Sequence, residues 1–589
     1  MFRNIARNEC RKRLRTGFGV GLGWLGCAAL LATLAMNAAA GAQAQSGKAV
    51  AAGPPRVVNL RTLPTLRAGA TGLGAQTQLP FNGMSPSEYI ARKSAIANSG
   101  AALAGTPAPG AAAPPTNQSV ISIAGNNEAE CGNQNPADTA IAIGDGQNPI
   151  VQLNEQCLSV WSTSGTRLYG PVSLASFAGL SPAPAAIGLP RALYDWYNHR
   201  FIIAFRDSDL QQSSHYDIVI SETDDPTGSW FHYRIPTPTQ SGVLNQFIRL
   251  GQDRQGVYVA SNLFPVGGGD NFISEEWLFL PKSQLYAGTS VEFWALVPPQ
   301  VNGLTTDSTQ PANVWSPYDN PRAEFMLTSY NINSGGGSCT NSCNGLIVWA
   351  VSNPFGFING GPTPEITHTA IATANNYSLP PSAAQPQKSP DLIDTGDTRI
   401  SGEVTYGSGF LYGALTTAAA QSGAAGIIDY KINPALNGND ANCTGNYANS
   451  CPQISGARIE NESLLNPFPG TSFFYPAPQP DLEGNVTTVF SVCGPDVYLS
   501  FGYASQRVTQ PPDSFYDQGV FFGQEAKTVF TGFYWGSYTA VSPAGVLFKP
   551  GIGQVPATPG FGYSAPYLAS ATTWSTRIGY VEYTAPNQP

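Results

Sequence analysis

From Gln118 onward the chain is a succession of short runs of β-branched and aromatic residues separated by turns of Gly, Pro, Asn and Asp. Residues 200–205 are a typical strand run, and residues 224–228 (Asp-Asp-Pro-Thr-Gly) form a tight-turn sequence between two more such runs. Runs of this kind with turn residues between them are typical of antiparallel strands. After the first fifty residues there is no apolar stretch of about 18 residues and no sustained 3.5- or 3.6-residue apolar period, which excludes a membrane bundle and a coiled coil. The sequence therefore predicts an all-β fold for 118–589.

The strand runs recur in groups of about four, and each group contains a strongly apolar strand followed by outer strands. The groups begin near Asp138, Arg191, Phe247, Pro311, Thr398, Tyr475 and Trp535. A repeat of roughly 40 to 50 residues with four strands is typical of a propeller blade, and long loops enlarge the repeat here. Such a blade has two apolar faces, so blades stack until a ring closes. We predict a seven-bladed β-propeller of four-stranded antiparallel blades, with packed sheets or separate β-sandwiches as the alternative.

The two ends of the predicted domain indicate how the ring closes. The C-terminal strand run, 577–583, leaves the last blade one strand short, and the run 119–124 lies just ahead of the first blade. An unpaired edge strand is unfavourable because its backbone groups have no partners in the sheet. We predict that the N-terminal strand pairs into the last blade and closes the ring.

The first 117 residues differ in composition from the rest. Residues 1–45 are basic, then apolar, then rich in small residues, which is the order of a secretory signal peptide. A single membrane anchor is the alternative. Residues 46–117 are rich in Ala, Gly and Pro and are interpreted as a linker or pro-segment, with one short helix near 86–98. The β-propeller domain is predicted to span 118–589, in a secreted or periplasmic protein without a membrane span once the signal is removed.

Charge is scarce and negative. Only 11% of the 589 residues are charged, and the formal net charge is −9. Removing the basic signal segment makes the chain more acidic, and no Lys/Arg cluster remains to neutralise a phosphate backbone. Nucleic acid is therefore not an expected partner. A glycan or a surface protein is the expected partner, and the protein is expected to be a monomer.

Seven cysteines follow the signal segment, and an exported protein forms disulfides. Proximity in sequence predicts three local pairs, with Cys493 left as a buried free thiol; the paired residues are Cys131 with Cys157, Cys339 with Cys343, and Cys443 with Cys451. The alternative is zinc, but the four histidines do not lie at ligand spacing from any cysteine pair. Neither a metal nor a cofactor is expected.

Several segments resemble a family of exported bacterial β-propeller proteins, most of which lack an established activity. They include 136–144 (Pro-Ala-Asp-Thr-Ala-Ile-Ala-Ile-Gly), 396–399 (Gly-Asp-Thr-Arg) and 574–579 (Trp-Ser-Thr-Arg-Ile-Gly). The resemblance implies a propeller and export, and little about function. The family tends to have Asp at several blade starts, where this chain has Arg191, Gln246 and Ser537. A ring of carboxylates that binds a metal is therefore not expected.

Propellers bind ligands where the innermost strands begin and the blade loops converge. Polar and aromatic residues at or beside the blade starts are the candidate ligand-binding residues: Asp138, Arg191, Asp397, Arg399, Trp535 and Tyr538. The alternative is that they only satisfy backbone groups in turns. Asp138 and Asp397, with Glu275 or Glu276 from a loop, are also candidates for the carboxylate pair of a glycan-active enzyme.

Two functions remain open at this stage. The first is a binding or scaffold protein that recognises a glycan or a protein at the cell envelope or outside the cell. The second is a polysaccharide-active enzyme, a glycoside hydrolase or lyase, with its site at the mouth of the central channel. No Gly-x-Ser-x-Gly sequence and no phosphate-binding loop is present, so the sequence indicates no catalytic residues.

Overall fold

The protein is predominantly antiparallel β-structure. The computed structural model describes residues 47–67, 86–99, 118–132, 137–145, 149–181, 183–210, 212–266, 272–332, 342–358, 360–419, 423–437, 453–454, 456–467, 469–512, 521–524, 526–544 and 560–583. Within these ranges the α-helices are short: α1 (Pro86–Ser99), α2 (Leu174–Ala178) and α3 (Lys282–Tyr286). The all-β prediction is confirmed. In the described part of the chain, no helix is long and apolar enough to cross a membrane.

The strands are described in chain order. The first half comprises β1 (Gly47–Ala52), β2 (Arg56–Asn59), β3 (Gln118–Asn127), β4 (Thr139–Ile143), β5 (Ile150–Asn154), β6 (Cys157–Trp161), β7 (Arg167–Ser173), β8 (Ala186–Asp195), β9 (Arg200–Ser208), β10 (Ser214–Ser221), β11 (Ser229–Pro236), β12 (Val243–Gln252), β13 (Gly256–Pro265), β14 (Ser274–Pro281), β15 (Val291–Leu296) and β16 (Gln310–Val314). The second half comprises β17 (Glu324–Tyr330), β18 (Cys343–Ser352), β19 (Glu365–Tyr377), β20 (Val404–Gly407), β21 (Phe410–Ala418), β22 (Ala425–Asn433), β23 (Leu436–Asn437), β24 (Gln453–Ile454), β25 (Arg458–Leu465), β26 (Ser472–Pro480), β27 (Val486–Gly494), β28 (Val497–Gln506), β29 (Phe521–Gln524), β30 (Ala540–Ala544), β31 (Gly560–Leu568) and β32 (Trp574–Tyr583).

Consecutive strands pair antiparallel in meanders. The pairing orders are β4-β5-β6-β7, β8-β9-β10-β11, β12-β13-β14-β15, β16-β17-β18-β19, β20-β21-β22-β25, β26-β27-β28-β29 and β30-β31-β32. We call β4, β8, β12, β16, β20, β26 and β30 the first strands of these meanders. Short parallel pairings join β12 to β16 and β16 to β20. The first strands of neighbouring meanders therefore lie side by side.

Strands from the N-terminal part complete three of the sheets. Strand β3 pairs antiparallel with β32, as predicted for the strand that precedes the first meander. Strand β1 adds to the outer edge of the β12–β15 meander, and β2 adds to the outer edge of the β8–β11 meander. Strands β1 and β2 and helix α1 all lie in the segment interpreted as a linker or pro-segment, where the sequence indicated only the helix.

The core lies between adjacent meanders. Strand β14 packs against β18 through Trp277 and Trp349, whose ring centroids are 5.2 Å apart. Strand β28 packs against β31 through Phe501 and Tyr563, at 5.4 Å. Because such contacts cover both faces of most strands, β12 and β14 are buried along their whole length. This burial explains why so few residues are charged.

One predicted disulfide is confirmed. Cys131, in the turn after β3, is bonded to Cys157 at the start of β6. Cys493 is a buried free cysteine, as predicted, and its thiol donates to the Ala384 carbonyl at 3.3 Å. In the other two predicted pairs, Cys339, Cys443 and Cys451 lie outside the described residues, so those pairings stay predictions.

Candidate functional site

Two first strands carry a β-bulge that aims an arginine toward the place where these strands converge. The β8–β9 register shifts between Gly188 and Arg191, and the β12–β13 register shifts between Gln246 and Arg249. Each bulge contains a residue with left-handed backbone, Leu189 (φ 56°) and Phe247 (φ 56°). That conformation is unfavourable for large side chains, so both bulges hold backbone strain of the kind found at functional sites.

Arg191 reaches across from β8 to three other parts of the chain. Its Nε donates to the carbonyl oxygen of Ile248 at 3.0 Å, and its Nη2 donates to that of Ser401 at 3.3 Å. The guanidinium carbon lies 3.6 Å from the ring centroid of Tyr538, which is a cation–π contact. One buried side chain thus links the β8, β12 and β20 regions with the segment before β30.

Arg249 also contacts Tyr538. Its Nη1 donates to the Tyr538 hydroxyl at 3.2 Å, and its guanidinium carbon is 5.4 Å from the ring centroid. Arg249 is completely buried, and burial lowers its pKa to about 10, so it remains charged at neutral pH. In the described part of the chain, its Nε and Nη2 have no hydrogen-bond partner.

Arg399 is paired within its own loop. Its Nε and Nη2 donate to the two carboxylate oxygens of Asp397 at 2.9 and 3.0 Å, and its guanidinium lies 4.0 Å from the ring centroid of Phe247. The Asp397 carboxylate is thus neutralised by Arg399. We refer to Arg191, Arg249 and Arg399 as the arginine cluster.

Buried carboxyl groups surround the arginine cluster. Asp138 accepts the backbone N–H of Ser537 at 2.5 Å. Burial raises the pKa of Asp138, and the N–H of Ser537 and the three guanidinium groups offset only part of this rise. Burial, and then the charge of Asp138, raise the pKa of Glu155 in the turn after β5. The charge of Asp138 thus reaches Glu155, and the positive charge of Arg206 offsets part of the rise there.

A third carboxyl belongs to Glu403, just before β20. Burial raises its pKa to about 8, and the positive charge of Arg191 offsets part of the rise. Its Oε2 has no hydrogen-bond partner among the described residues. The raised pKa favours the uncharged form of Glu403, which gives the arginine cluster less compensating negative charge.

Helix α1 lies against this region. The Lys93 ammonium donates to Asp394 Oδ1 at 2.6 Å and to the Gly396 carbonyl at 2.6 Å. The Tyr89 hydroxyl donates to the same two groups, at 3.0 and 2.9 Å. Both side chains interact electrostatically with Arg399. The helix thus packs at the edge of the arginine cluster.

The structure brings four of the predicted site residues together: Asp138, Arg191, Arg399 and Tyr538. Asp397 joins them as the partner of Arg399. Trp535 instead packs against Phe530 in an apolar cluster, with ring centroids 5.5 Å apart.

Glu275 and Glu276 do not join Asp138, because both lie on β14, the third strand of its meander. Glu275 accepts from Thr306 and Thr309, and Glu276 accepts from Tyr216. The expectation that Glu275 and Glu276 lie in a loop was wrong, since both belong to β14, two strands away from the first strand β12.

Sequence reasoning missed Arg249, Glu155 and Glu403. Arg249 follows the left-handed Phe247 by two residues, just as Arg191 follows Leu189. The left-handed conformations of Leu189 and Phe247 are seen only in the structure, so the sequence carried no clear signal for Arg249. Glu155 lies in a turn between β5 and β6, and no local pattern distinguishes it from an exposed turn residue.

Comparison with known proteins gives fold-level likenesses only. No protein-family profile and no curated protein sequence matches the chain. Among solved structures, Trypanosoma rangeli sialidase is similar at 9% identity and a TM-score of 0.28, over 71% of this chain and 56% of that one. The chain thus spans a little over half the length of that sialidase.

Two more solved structures are similar at the same level. Hadza microbial sialidase Hz136 shares 9% identity at a TM-score of 0.27, over 73% of each chain. Endo-1,5-alpha-L-arabinanase from Thermotoga petrophila RKU-1 shares 10% identity at a TM-score of 0.23, over 76% of this chain and 98% of that one. At such scores the function has to be inferred from the site itself.

Proposed function

We propose that the meanders are the seven blades of a closed β-propeller, with the arginine cluster at its centre. Contacts between successive first strands support this architecture, since they run from β4 through β8, β12, β16, β20 and β26 to β30, and β30 contacts β4. The pairing of β3 with β32 completes the last blade with an N-terminal strand. Propellers bind ligands at the ends of this central region.

The function we propose is recognition of a carboxylated glycan by an exported binding protein. The observation that carries it is Arg249, a fully buried arginine whose Nε and Nη2 have no partner among the described residues. Leaving a buried charged donor unpaired is costly, and a carboxylate can accept two such N–H groups at once. A bound carboxylate would thus satisfy Arg249.

The charge balance around Arg249 also favours an anion. No salt bridge involves Arg191 or Arg249 in the described part of the chain, and Asp397 is already paired with Arg399. Burial raises the pKa values of Asp138 and Glu403, so these carboxyls are protonated over more of the neutral range. Two guanidinium groups therefore lack a full carboxylate partner.

The groups beside the cluster suit a sugar. The ring of Tyr538 stacks on the guanidinium group of Arg191, and the ring of Phe247 stacks on that of Arg399. Beside Asp138, the hydroxyls of Tyr534 and Ser537 form a hydrogen bond of 2.5 Å. Sugar acids combine a carboxylate with hydroxyls and an apolar ring face, and binding sites for them combine aromatic and polar groups in the same way. A carboxylated sugar is the ligand class that uses all of these groups.

Binding to a polysaccharide panel tests the proposal. We expect saturable binding of uronic-acid polymers, measured by calorimetry, and at least tenfold weaker binding of neutral polymers of similar size. Arg249→Gln is expected to abolish the binding. Arg61→Gln is the matched control, because the Arg61 side chain is 60% exposed and pairs with Asp225 on the surface. Equal affinity of the two variants would contradict the proposal.

Export is part of the proposal. The Cys131–Cys157 disulfide supports it, because disulfides form and persist in oxidising compartments. Mass spectrometry of the chain recovered from its native host tests this, since we expect the first 42 to 45 residues to be absent, as cleavage near Ala42 or Ala44 requires.

A second candidate function is enzymatic cleavage of the same glycan, either by hydrolysis or by the elimination that a lyase catalyses. The observation that favours it is that Asp138 and Glu155 are both buried and close enough for the charge of Asp138 to raise the pKa of Glu155, since two carboxyls with raised pKa values can serve as acid and base. Release of reducing ends or of unsaturated products absorbing in the ultraviolet would support an enzyme, provided that Asp138→Asn abolishes it. Binding without turnover supports the binding protein.

A further inference from the structure

Helix α1 packs against the rest of the protein through a face that carries a lysine. Among the side chains of the helix that the structure describes, Tyr89, Lys93 and Ile96 are buried or half-buried, and they are spaced along one side of the helix. Lys93 is completely buried, and its ammonium donates to Asp394 Oδ1, to the Gly396 carbonyl and to Thr395 Oγ1, the last at 2.9 Å. These three acceptors are the shorter contacts of the ammonium ion, which has three N–H groups, and the Tyr89 hydroxyl of the helix itself is a fourth, longer contact at 3.3 Å.

The three acceptors form what we call the ammonium cup (Asp394, Thr395 and Gly396). Contacts that do not involve the helix hold the cup in place. Thr395 Oγ1 donates to the Pro381 carbonyl at 2.7 Å, and the Asp394 N–H donates to the Phe533 carbonyl at 2.9 Å. The cup is thus a built site that would persist without Lys93.

The backbone of the cup is equally constrained. Gly396 has a left-handed conformation (φ 72°), and a Cβ there would lie 2.5 Å from the ring of Tyr475. The Tyr475 hydroxyl also donates to Asp394, at 3.4 Å. Gly396 is therefore required for its carbonyl to face the ammonium group.

The Lys93–Asp394 ion pair is a buried polar contact at the centre of the docked helix. A buried ion pair gives little net stability because desolvation offsets the Coulombic attraction. Among the described residues, the apolar cluster at this contact consists of Tyr89 and Ile96 packed on Leu379. A 14-residue helix is also only marginally stable by itself. A modest difference in ligand affinity would therefore be enough to displace the helix.

We propose that the ammonium cup is a binding site for a primary ammonium group, that Lys93 fills it from within the chain, and that helix α1 is a displaceable cover over the arginine cluster. Asp397 and Arg399 directly follow the cup in sequence, so displacement of the helix uncovers this edge of the cluster. The ammonium site stands on the contacts of Lys93 alone. That the cover controls glycan binding rests in addition on the proposed function of the cluster.

The docking contact is tested first, by hydrogen exchange of residues 86–99 in the full chain. Lys93→Met keeps the length of the side chain and removes the ammonium, and we expect it to speed exchange at least tenfold. Arg92→Met is the matched control, because Arg92 is the neighbouring residue and its side chain is 43% exposed. Exchange in Lys93→Met within twofold of wild type would overturn the proposal.

Chemical rescue then tests the cup. In Lys93→Ala, n-propylammonium chloride is expected to restore protection of helix α1 at least fivefold and in a saturable manner. The controls are n-propanol and tetramethylammonium, which lack the three N–H donors. Absence of rescue in a folded Lys93→Ala chain would overturn the ammonium site. If Lys93→Ala does not fold, Tyr89→Phe replaces it, because this variant removes only one hydroxyl. Tyr89→Phe is expected to speed hydrogen exchange of helix α1 severalfold, and an unchanged rate would count against the ammonium site.

The covering role has a readout that needs no glycan. Phenylglyoxal modifies accessible arginines, and peptide mapping reports the rate at Arg399. We expect at least fivefold faster modification in Lys93→Met than in wild type or Arg92→Met, and equal rates would overturn the cover. Uronic-acid polymers are then expected to bind Lys93→Met more tightly than wild type. If Arg399 becomes reactive but no polymer binds, the proposed function fails and the cover stands.

Discussion

The guanidinium group of Arg191 lies 3.6 Å from the ring centroid of Tyr538, and Arg249 donates a hydrogen bond to the hydroxyl of the same tyrosine. One aromatic ring thus separates and orients two buried cations. Without the ring, the two guanidinium groups would repel each other in a region of low polarity. Tyr538 is therefore central to both the stability and the ligand preference of the site.

Substitution of Tyr538 is expected to separate the role of the ring from that of the hydroxyl. Tyr538→Phe removes one hydrogen bond and should lower the free energy of unfolding by about 1 kcal/mol. Tyr538→Leu also removes the cation–π contacts and leaves a cavity, and should cost about 3 kcal/mol or more. Urea denaturation measures both. Equal losses in the two variants would show that the ring does not hold the arginines.

Arg249→Met is expected to raise stability while it abolishes ligand binding. The substitution removes a buried charge with two unpaired donors and replaces it by an apolar side chain of similar length. Such replacements of buried charges often stabilise by about 1 kcal/mol or more. Thermal unfolding without ligand, together with calorimetry with uronic-acid polymers, measures the two effects. A destabilised variant that still binds would contradict this assignment of Arg249.

Glu403→Gln is expected to change the pH dependence of stability. The pKa of Glu403 is raised from 4.5 to about 8, so the folded state binds its proton more tightly than the unfolded state does. Its contribution to stability is full below pH 4.5 and is lost as the pH rises through about 8. Each pH unit inside this window costs on the order of 1 kcal/mol.

Urea titrations at several pH values compare wild type with Glu403→Gln. The variant should equal wild type near pH 4 and become progressively more stable than wild type toward pH 8, since glutamine carries no charge to bury. A difference that does not vary with pH would rule out a raised pKa at Glu403.

Gln152 is expected to stabilise the contact between β3 and the first meander. Its side chain donates to Ser564 and Thr576 at 2.9 and 2.8 Å and accepts the backbone N–H of Asn126 at 2.9 Å. Gln152→Leu leaves these buried groups without that partner and should cost about 2 kcal/mol. Hydrogen exchange of β3 should quicken as well. Gln240→Leu, the same change at an exposed position, is the control, and the prediction fails if the two variants are equally stable.

Much of the fold was predictable because strand composition and turn residues are local signals. The runs at 119–124 and 577–583 each showed a strand, and the count of strands in the last group indicated that they pair. Strands β1 and β2 gave no such signal, since each is stabilised by pairing with the edge of a sheet that forms far along the chain. Tertiary context overrides weak local preference in such cases.

The candidate site was predictable only in part, for a similar reason. Asp138, Arg191, Arg399 and Tyr538 stood out because polar residues at predicted strand starts are rare in this chain. Arg249 did not, because the bulge at Phe247 shifts the register and reverses which side chains face inward. The alternation of apolar and polar residues along a strand does not show where a bulge shifts the register.

The pairing of β1 with β15 and of β2 with β11 has a consequence for solubility. Each added strand covers a row of backbone N–H and carbonyl groups on an outer strand of a sheet. An uncovered row of this kind is a template for pairing with another molecule and a starting point for aggregation. Loss of residues 47–59 would leave both rows open, so a shortened chain would self-associate through its sheet edges while its core stayed intact.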